Sequence, residues 1–185
     1  MTGQQTETAV LGGGCFWCLE AVFQKLKGVV RAQSGYMGGH VANPSYEQVC
    51  GKKTGHAEVV RLEFDSAQIA YEQLLEVFFT IHDPTTPNRQ GNDIGPQYRS
   101  VIFAMTVQQL AAARAAIDAV PGAVTELIDA SPQTVASPAT DRVFWPAEAE
   151  HENYFRRNPY QGYCLFVVAP KVVKAETKFR ALIAQ

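Results

Sequence analysis

The chain has 185 residues, of which 46% are hydrophobic, and its 16 Lys and Arg against 18 Asp and Glu give a net charge of −2. This length and composition indicate one globular domain over residues 1–185, and the charge gives no reason to expect nucleic acid or an anionic membrane as partner. The start, MTGQQTET, lacks the regions of a signal peptide, and no apolar run approaches the ~20 residues of a membrane helix. We therefore expect a cytoplasmic protein whose cysteines are reduced thiols.

Hydrophobic periodicity and turn residues predict strands and helices along most of the chain. The predicted strands cover residues 7–11, 29–36, 56–65, 100–105, 123–128 and 165–168. The predicted helices cover residues 16–26, 67–81, 107–120, a short segment opened by Pro146, and residues 171–184. The first six elements follow the order of a ferredoxin-like split βαβ core. We expect an α+β fold, a two-layer sandwich with long functional loops.

Two long loops are rich in polar and turn-forming residues, MGGHVANPSYEQ and HDPTTPNRQGNDIGPQYRS. Loops of this length in a compact domain are often functional. They contain Tyr46, Asp93 and Tyr98, which are able to donate or position protons. Taken singly, each of the three is also compatible with a loop residue that has no chemistry.

The stretch GGGCFWC places two thiols and two aromatic side chains where a glycine turn is expected to become a helix. If the helix begins near Phe16, Cys15 lies at its N-terminus, and the helix dipole should lower the pKa of this thiol from about 8.5. Phe16 and Trp17 would then form an apolar wall beside a reactive sulfur. The alternative is that these side chains, with Cys18, are ordinary core residues, but the combination of glycines, thiols and helix start favours a reactive Cys15.

A reactive thiol also needs a proton source. GHAEVV places Glu58 at the start of a predicted strand, where inward burial would raise its pKa and make it a general acid. A solvent-facing glutamate fits the same spacing equally well. The four histidines are scattered, and a lone histidine near a turn is more often a structural group than a base.

Seven segments together resemble the A-type peptide methionine sulfoxide reductases: GCFWCLEAVF, GGH, NPSYEQVC, TGHAEVV, HDPTTPNRQGNDIGPQYRS, PAEAEHENYF and NPYQGYC. They occur in the same order and spacing as in that family, from about residue 11 to residue 170. The resemblance implies reduction of methionine sulfoxide of the S configuration, free or in proteins. It also implies thioredoxin as the reductant and no metal or organic cofactor.

The resemblance assigns a role to each matching side chain. Cys15 is the nucleophile that attacks the sulfoxide sulfur and is left as a sulfenic acid. Glu58 is the carboxylic acid that protonates the sulfoxide oxygen. The other matching residues are the aromatics that hold the S-methyl group, the phenols that hydrogen-bond the oxygen and a supporting acid: Phe16 and Trp17, Tyr46 and Tyr98, and Asp93.

The resemblance leaves open which second thiol condenses with Cys15 to the disulfide that thioredoxin reduces. Many family members have glycine where this chain has Cys18, and many end in a glycine-rich tail with another cysteine, which LFVVAPKVVKAETKFRALIAQ lacks. Cys18 is favoured by local geometry, because two residues three apart in a helical turn have Cα atoms ~5–6 Å apart. Cys164, in QGYC, stands where other members carry the resolving cysteine. We prefer Cys164, with Cys18 second, and interpret Cys50 as structural.

Three other classes of protein share features with this sequence. A zinc-binding module would use the four cysteines, but C-x₂-C occurs once and the other two lie far from it and from each other. A thioredoxin-like oxidoreductase would use the same C-x₂-C and would reduce protein disulfides instead of methionine sulfoxide. A cysteine hydrolase lacks an evident Cys–His pairing.

Overall fold

The computed structural model describes residues 5–132 and 139–184. The strands are β1 (Thr6–Gly13), β2 (Val29–Met37), β3 (Ala57–Asp65), β4 (Arg89–Gln90), β5 (Asp93–Ile94), β6 (Ser100–Ala104), β7 (Glu126–Asp129) and β8 (Trp145–Pro146). The helices are α1 (Phe16–Phe23), α2 (Tyr46–Cys50), α3 (Tyr71–Ile81), α4 (Val107–Asp118), α5 (Tyr154–Arg157) and α6 (Ala169–Lys178).

Six strands form one sheet in the order β7-β6-β1-β3-β2-β8, while β4 and β5 form a separate hairpin. The four central strands pair antiparallel in the order β6-β1-β3-β2. This is the strand order of a ferredoxin-like split βαβ core, so the predicted α+β fold class is confirmed. The parallel strand β7 extends one edge, and β8 extends the other.

The two faces of the sheet bury different side chains. Alternate residues of β3, among them Val60, Leu62 and Phe64, join the larger core beneath the helices. Their neighbours Ala57 and Val59 join a smaller cluster on the opposite face. Because side chains alternate along a strand, residue 58 points to the helix-covered face.

Glycines let β1 end tightly against its neighbours and turn into α1. A Cβ atom at Gly12 would lie 2.8 Å from Cγ1 of Val101, closer than real Cβ contacts allow. Gly14 has a φ of +97°, a conformation that side chains disfavour. The turn brings Cys15 to the carboxyl end of a central strand, directly before α1.

The predicted strand over residues 165–168 is wrong. Cys164–Val168 forms a π-helical turn that runs directly into α6. Buried side chains recur at helical spacing along this segment, at Cys164, Val168, Val172 and Ala175. A four-residue apolar run does not distinguish a strand from a helix, and the longer buried stripe decides for the helix.

Other differences lie in the loops. The sequence interpretation missed α2, although Ser45 and Gln48 form the capping box that marks its start. Pro146 lies in β8 instead of opening a helix, and His151 lies in a separate 3₁₀ turn before α5. No helix within residues 5–132 and 139–184 combines the length and the apolar character that a bilayer crossing requires.

Candidate active site

Cys15 and Glu58 meet where α1 begins. Cys15 is the N-cap residue of α1, is only 7% exposed, and makes no capping hydrogen bond with its own side chain. Instead, the backbone N–H of Phe16 donates to Oε2 of Glu58 over 3.0 Å. A carboxyl group from β3 therefore satisfies a free N–H at the helix N-terminus beside the Cys15 thiol.

Glu58 is buried, as the sequence interpretation required for a general acid. It is 1% exposed on the face of the sheet that the helices cover. Burial raises the pKa of its carboxyl group to about 8, even though the hydrogen bond from the Phe16 N–H favours the charged form. At neutral pH Glu58 is therefore mostly protonated and able to donate a proton.

Cys15 and Cys18 are partners through a side-chain hydrogen bond. Burial raises the pKa of Cys15 well above its usual range, and its bond with Cys18 and the nearby Glu58 add to this rise. The expectation that the helix N-terminus lowers this pKa is therefore wrong for the resting site, because the loss of water outweighs the dipole. The resting Cys15 is a neutral thiol that donates a hydrogen bond to Cys18, and this bond lowers the pKa of Cys18.

Phe16 and Trp17 form the expected apolar wall, and other rings support it. Phe16 is fully buried, and its ring lies 6.4 Å from that of Trp17. Tyr154 of α5 stacks flat on Trp17, with ring centroids 3.7 Å apart. The indole N–H of Trp17 donates to Nδ1 of His151 over 3.2 Å. The pocket wall is thus fixed both by stacking and by a hydrogen bond.

Glu148 links side chains that pack against the aromatic wall. Its Oε2 accepts the Tyr36 hydroxyl over 2.8 Å, and its Oε1 accepts the Tyr46 backbone N–H over 2.7 Å. His151 Nε2 lies 3.7 Å from Glu148 Oε2. Burial lowers the pKa of His151, so its neutral ring accepts from Trp17 through Nδ1 and carries its proton on Nε2.

Tyr46 and Tyr98 come from different loops and share the electrostatic surroundings of Glu58. Tyr46 begins α2, and Tyr98 ends a 3₁₀ turn before β6. Burial raises the pKa of both phenols, and Glu58 adds to the rise in each. Both hydroxyl groups therefore keep their protons and serve as hydrogen-bond donors.

Asp93 is linked to the thiols through Tyr163, a residue to which the sequence interpretation gave no role. Its Oδ2 accepts the Tyr163 hydroxyl over 2.6 Å. Tyr163 contacts the side chains of Cys15 and Cys18, and its ring meets the Trp17 ring edge-on at 5.9 Å. Asp93 is therefore a positioning group for a phenol at the sulfur atoms.

The other two cysteines occupy different places. Cys164 is fully buried in the helical turn before α6, where burial raises its pKa and Cys18 adds to this effect. Cys50 lies at the end of α2 in hydrogen-bonding contact with Tyr46. All four cysteines are free thiols.

Glu20 supports the aromatic wall from below. It is 1% exposed on α1 and accepts the backbone N–H groups of Asn153 and Tyr154 at the start of α5. Gln24, the C-cap residue of α1, donates to Oδ1 of Asn153 over 2.9 Å. These contacts hold Tyr154 in place on Trp17.

Five side chains at the site received no role from the sequence: Tyr36, Glu148, His151, Tyr154 and Tyr163. Four of the five lie in PAEAEHENYF and NPYQGYC, segments that contributed to the resemblance and in which only Cys164 had an assigned chemistry. The resemblance was the only feature of the sequence that pointed to these segments. Across the described residues, no cluster of three or more His, Cys, Asp and Glu side chains is arranged to hold a metal ion.

Comparisons with known proteins agree with this geometry. The family model described as peptide methionine sulfoxide reductase matches residues 7–182. A curated relative from Ralstonia nicotianae, named peptide methionine sulfoxide reductase MsrA, is 56% identical over 95% of this chain and 92% of its own length.

The chain also resembles solved structures, among them the following two. Methionine sulfoxide reductase A of Corynebacterium diphtheriae is 36% identical with a TM-score of 0.77, covering 90% of this chain and 81% of its own. Reduced Mxr1 from Saccharomyces cerevisiae is 32% identical with a TM-score of 0.74, and the match covers 86% of this chain and 89% of the Mxr1 chain. Because the family model and the curated relative each span almost the whole chain, this protein belongs to the A-type peptide methionine sulfoxide reductases.

Proposed function

We propose that this chain, acting as a single catalytic domain, reduces methionine S-sulfoxide in peptides and proteins, or as the free amino acid, to methionine. The observation that carries the proposal is the buried Cys15 thiol between a protonated Glu58 and the Phe16–Trp17 wall. Neither a zinc-binding module nor a thioredoxin-like oxidoreductase accounts for a family match over residues 7–182.

The first step is attack by the Cys15 sulfur on the sulfoxide sulfur. Glu58 gives its proton to the sulfoxide oxygen, which makes the substrate sulfur more electrophilic and the oxygen a better leaving group. The resulting Glu58 carboxylate receives the Cys15 proton. The hydroxyl group then passes from the substrate sulfur to the Cys15 sulfur while the bond between the two sulfur atoms breaks and its electron pair stays with methionine. Methionine leaves, Cys15 is a sulfenic acid, and the enzyme sulfur has been oxidised while the substrate sulfur has been reduced.

The pocket orients the sulfoxide for this step. Phe16 and Trp17 provide an apolar surface for the S-methyl group. Tyr46 and Tyr98, which keep their protons, donate to the sulfoxide oxygen beside Glu58. One apolar wall and one set of donors leave only one epimer with its sulfur facing Cys15, so the reaction is stereospecific.

We infer the resolving thiol from the contacts among the cysteines. Cys18 already hydrogen-bonds with Cys15, whereas Cys164 interacts with Cys18 from a buried helical turn. These contacts favour Cys18, the second choice of the sequence interpretation. Condensation of Cys18 with the sulfenic acid releases water and forms a Cys15–Cys18 disulfide.

Thioredoxin is the proposed reductant of this disulfide, because a dithiol protein regenerates both thiols without any group held by the enzyme. We place the enzyme in the cytoplasm, where thioredoxin systems keep thiols such as these four cysteines reduced.

The decisive experiment is incubation of the protein with separated methionine S- and R-sulfoxides and dithiothreitol. We expect the S epimer to be consumed and the R epimer to persist. Turnover of both epimers at equal rates would contradict the pocket assignment, and turnover of neither would contradict the function itself.

A further inference from the structure

A groove lies beside the site, between the β4–β5 hairpin and the start of the last helical segment. Its volume is about 330 Å³, at the lower end of the ~300–1,000 Å³ of small-ligand pockets. Space of this size takes one or two amino-acid residues, not a folded partner. Nine residues line it, among them Asp93, Tyr163, Phe166, Val167, Pro170 and Lys171.

The helical wall of the groove is one continuous face. Tyr163, Phe166, Val167 and Pro170 recur at spacings of three, one and three, which places them on the same side of a helix. Phe166 is 81% exposed, although it is a large apolar side chain. This face therefore presents an apolar surface that the described residues leave open to solvent.

The groove is continuous with the catalytic site through two shared residues. Tyr163 contacts the reactive thiols and also lines the groove, and Asp93 holds the Tyr163 hydroxyl while lining the same groove. The groove is therefore placed to receive the main chain of a polypeptide whose methionine sulfoxide side chain reaches Cys15.

We propose that the groove binds the residue adjacent to methionine sulfoxide in a polypeptide substrate, with Phe166 as its apolar contact. This inference rests on the proposed function and adds a subsite that free methionine sulfoxide does not use. The occupant is a flexible or extended peptide segment, because the space is too small for a folded domain.

The charge of the groove should also favour acidic residues next to methionine sulfoxide in the substrate. Lys171 is the one basic side chain among the nine that line it, while the Asp93 carboxylate already accepts the Tyr163 hydroxyl. No salt bridge within the described residues engages the Lys171 ammonium, so it is able to attract an acidic side chain. Peptides with aspartate or glutamate next to the sulfoxide should react faster than those with lysine.

The test compares Phe166→Ser with a matched control, Tyr160→Ser. Tyr160 is 86% exposed and does not line the groove, so both changes remove an exposed aromatic ring without opening the core. With dithiothreitol as reductant, kcat/KM is measured for free methionine S-sulfoxide and for a blocked pentapeptide that contains it. We expect Phe166→Ser to lower the peptide value about fivefold and leave the free value unchanged, while Tyr160→Ser changes neither.

A second experiment tests the charge preference of the groove. The ratio of kcat/KM for peptides with a neighbouring aspartate and a neighbouring lysine is measured within each variant, so any general effect on the thiols cancels. Lys171→Glu should invert this ratio.

Equal loss on free and peptide substrates in Phe166→Ser, or no loss on either, would overturn the subsite. An increase in the KM for thioredoxin alone would also overturn it, because the groove would then serve the reductant. If the unaltered protein failed to reduce free methionine S-sulfoxide, the proposed function would fail independently of these variants.

Discussion

Replacement of Glu58 by glutamine separates the two tasks of this carboxyl group. The amide oxygen of the substituted side chain still accepts the Phe16 N–H, so α1 keeps its cap, but the side chain no longer has a proton to give. Loss of a general acid lowers a rate typically by 10²–10⁴-fold. We expect Glu58→Gln to slow methionine formation by about that factor with saturating dithiothreitol, while Glu58→Ala loses both the acid and the cap.

Glu58→Gln should also remove a loss of folding stability that the native chain suffers as pH rises. Burial raises the pKa of Glu58 from an ordinary value of 4.5 to about 8. The folded state therefore binds this proton more tightly than the unfolded state, and the free energy of unfolding falls as pH rises from 4.5 to 8. At 1.36 kcal/mol per pH unit, this corresponds to about 5 kcal/mol over the whole window. Glutamine removes that loss, so Glu58→Gln should gain stability relative to the native chain as pH rises.

Two assays check this reasoning. Urea unfolding at pH 5 and pH 8 measures the stability difference, and single-turnover release of methionine measures the chemical step. Above pH 8 the rate of the native chain should fall about tenfold per pH unit as Glu58 loses its proton, and the glutamine variant should lack this limb. A stability difference that is the same at both pH values would refute the buried-acid argument. If Glu58→Gln released methionine at nearly the rate of the unaltered chain, Asp93 would be the next candidate for the general acid.

Two further predictions concern the supporting residues. After one substoichiometric turnover without reductant, peptide mapping should find a Cys15–Cys18 disulfide with Cys164 free for alkylation; a Cys15–Cys164 bridge would reverse our assignment. Glu20→Leu should raise the KM for the sulfoxide about fivefold, because the N–H groups that hold Tyr154 lose their acceptor, while Glu20→Gln keeps an acceptor and stays near the native value. Equal KM values in these two variants would show that the contact does not position the wall.

The turn that carries Cys15 was predictable from local rules, because the glycines before it mark the strand-to-helix transition. The burial of Glu58 was not, because a buried and a solvent-facing glutamate fit the spacing of β3 equally well, and the helices packed on the sheet decide between them. The Cys15 pKa was not predictable, because the helix terminus is visible in the sequence while the burial around it depends on distant segments. Tyr163 was missed for the same reason, since long-range packing alone brings it to the thiols.

The strand order explains why acid and nucleophile come together. Since β3 runs antiparallel beside β1, with Leu11 opposite Val60, the start of β3 lies next to the end of β1. An inward side chain two residues before Val60 must then lie beneath the first turn of α1, where a free backbone N–H awaits an acceptor. Glu58 is therefore fixed relative to Cys15 by the sheet itself. The phenols of Tyr46 and Tyr98, by contrast, depend on loops, so substitutions in those loops should affect substrate orientation before they affect the acid.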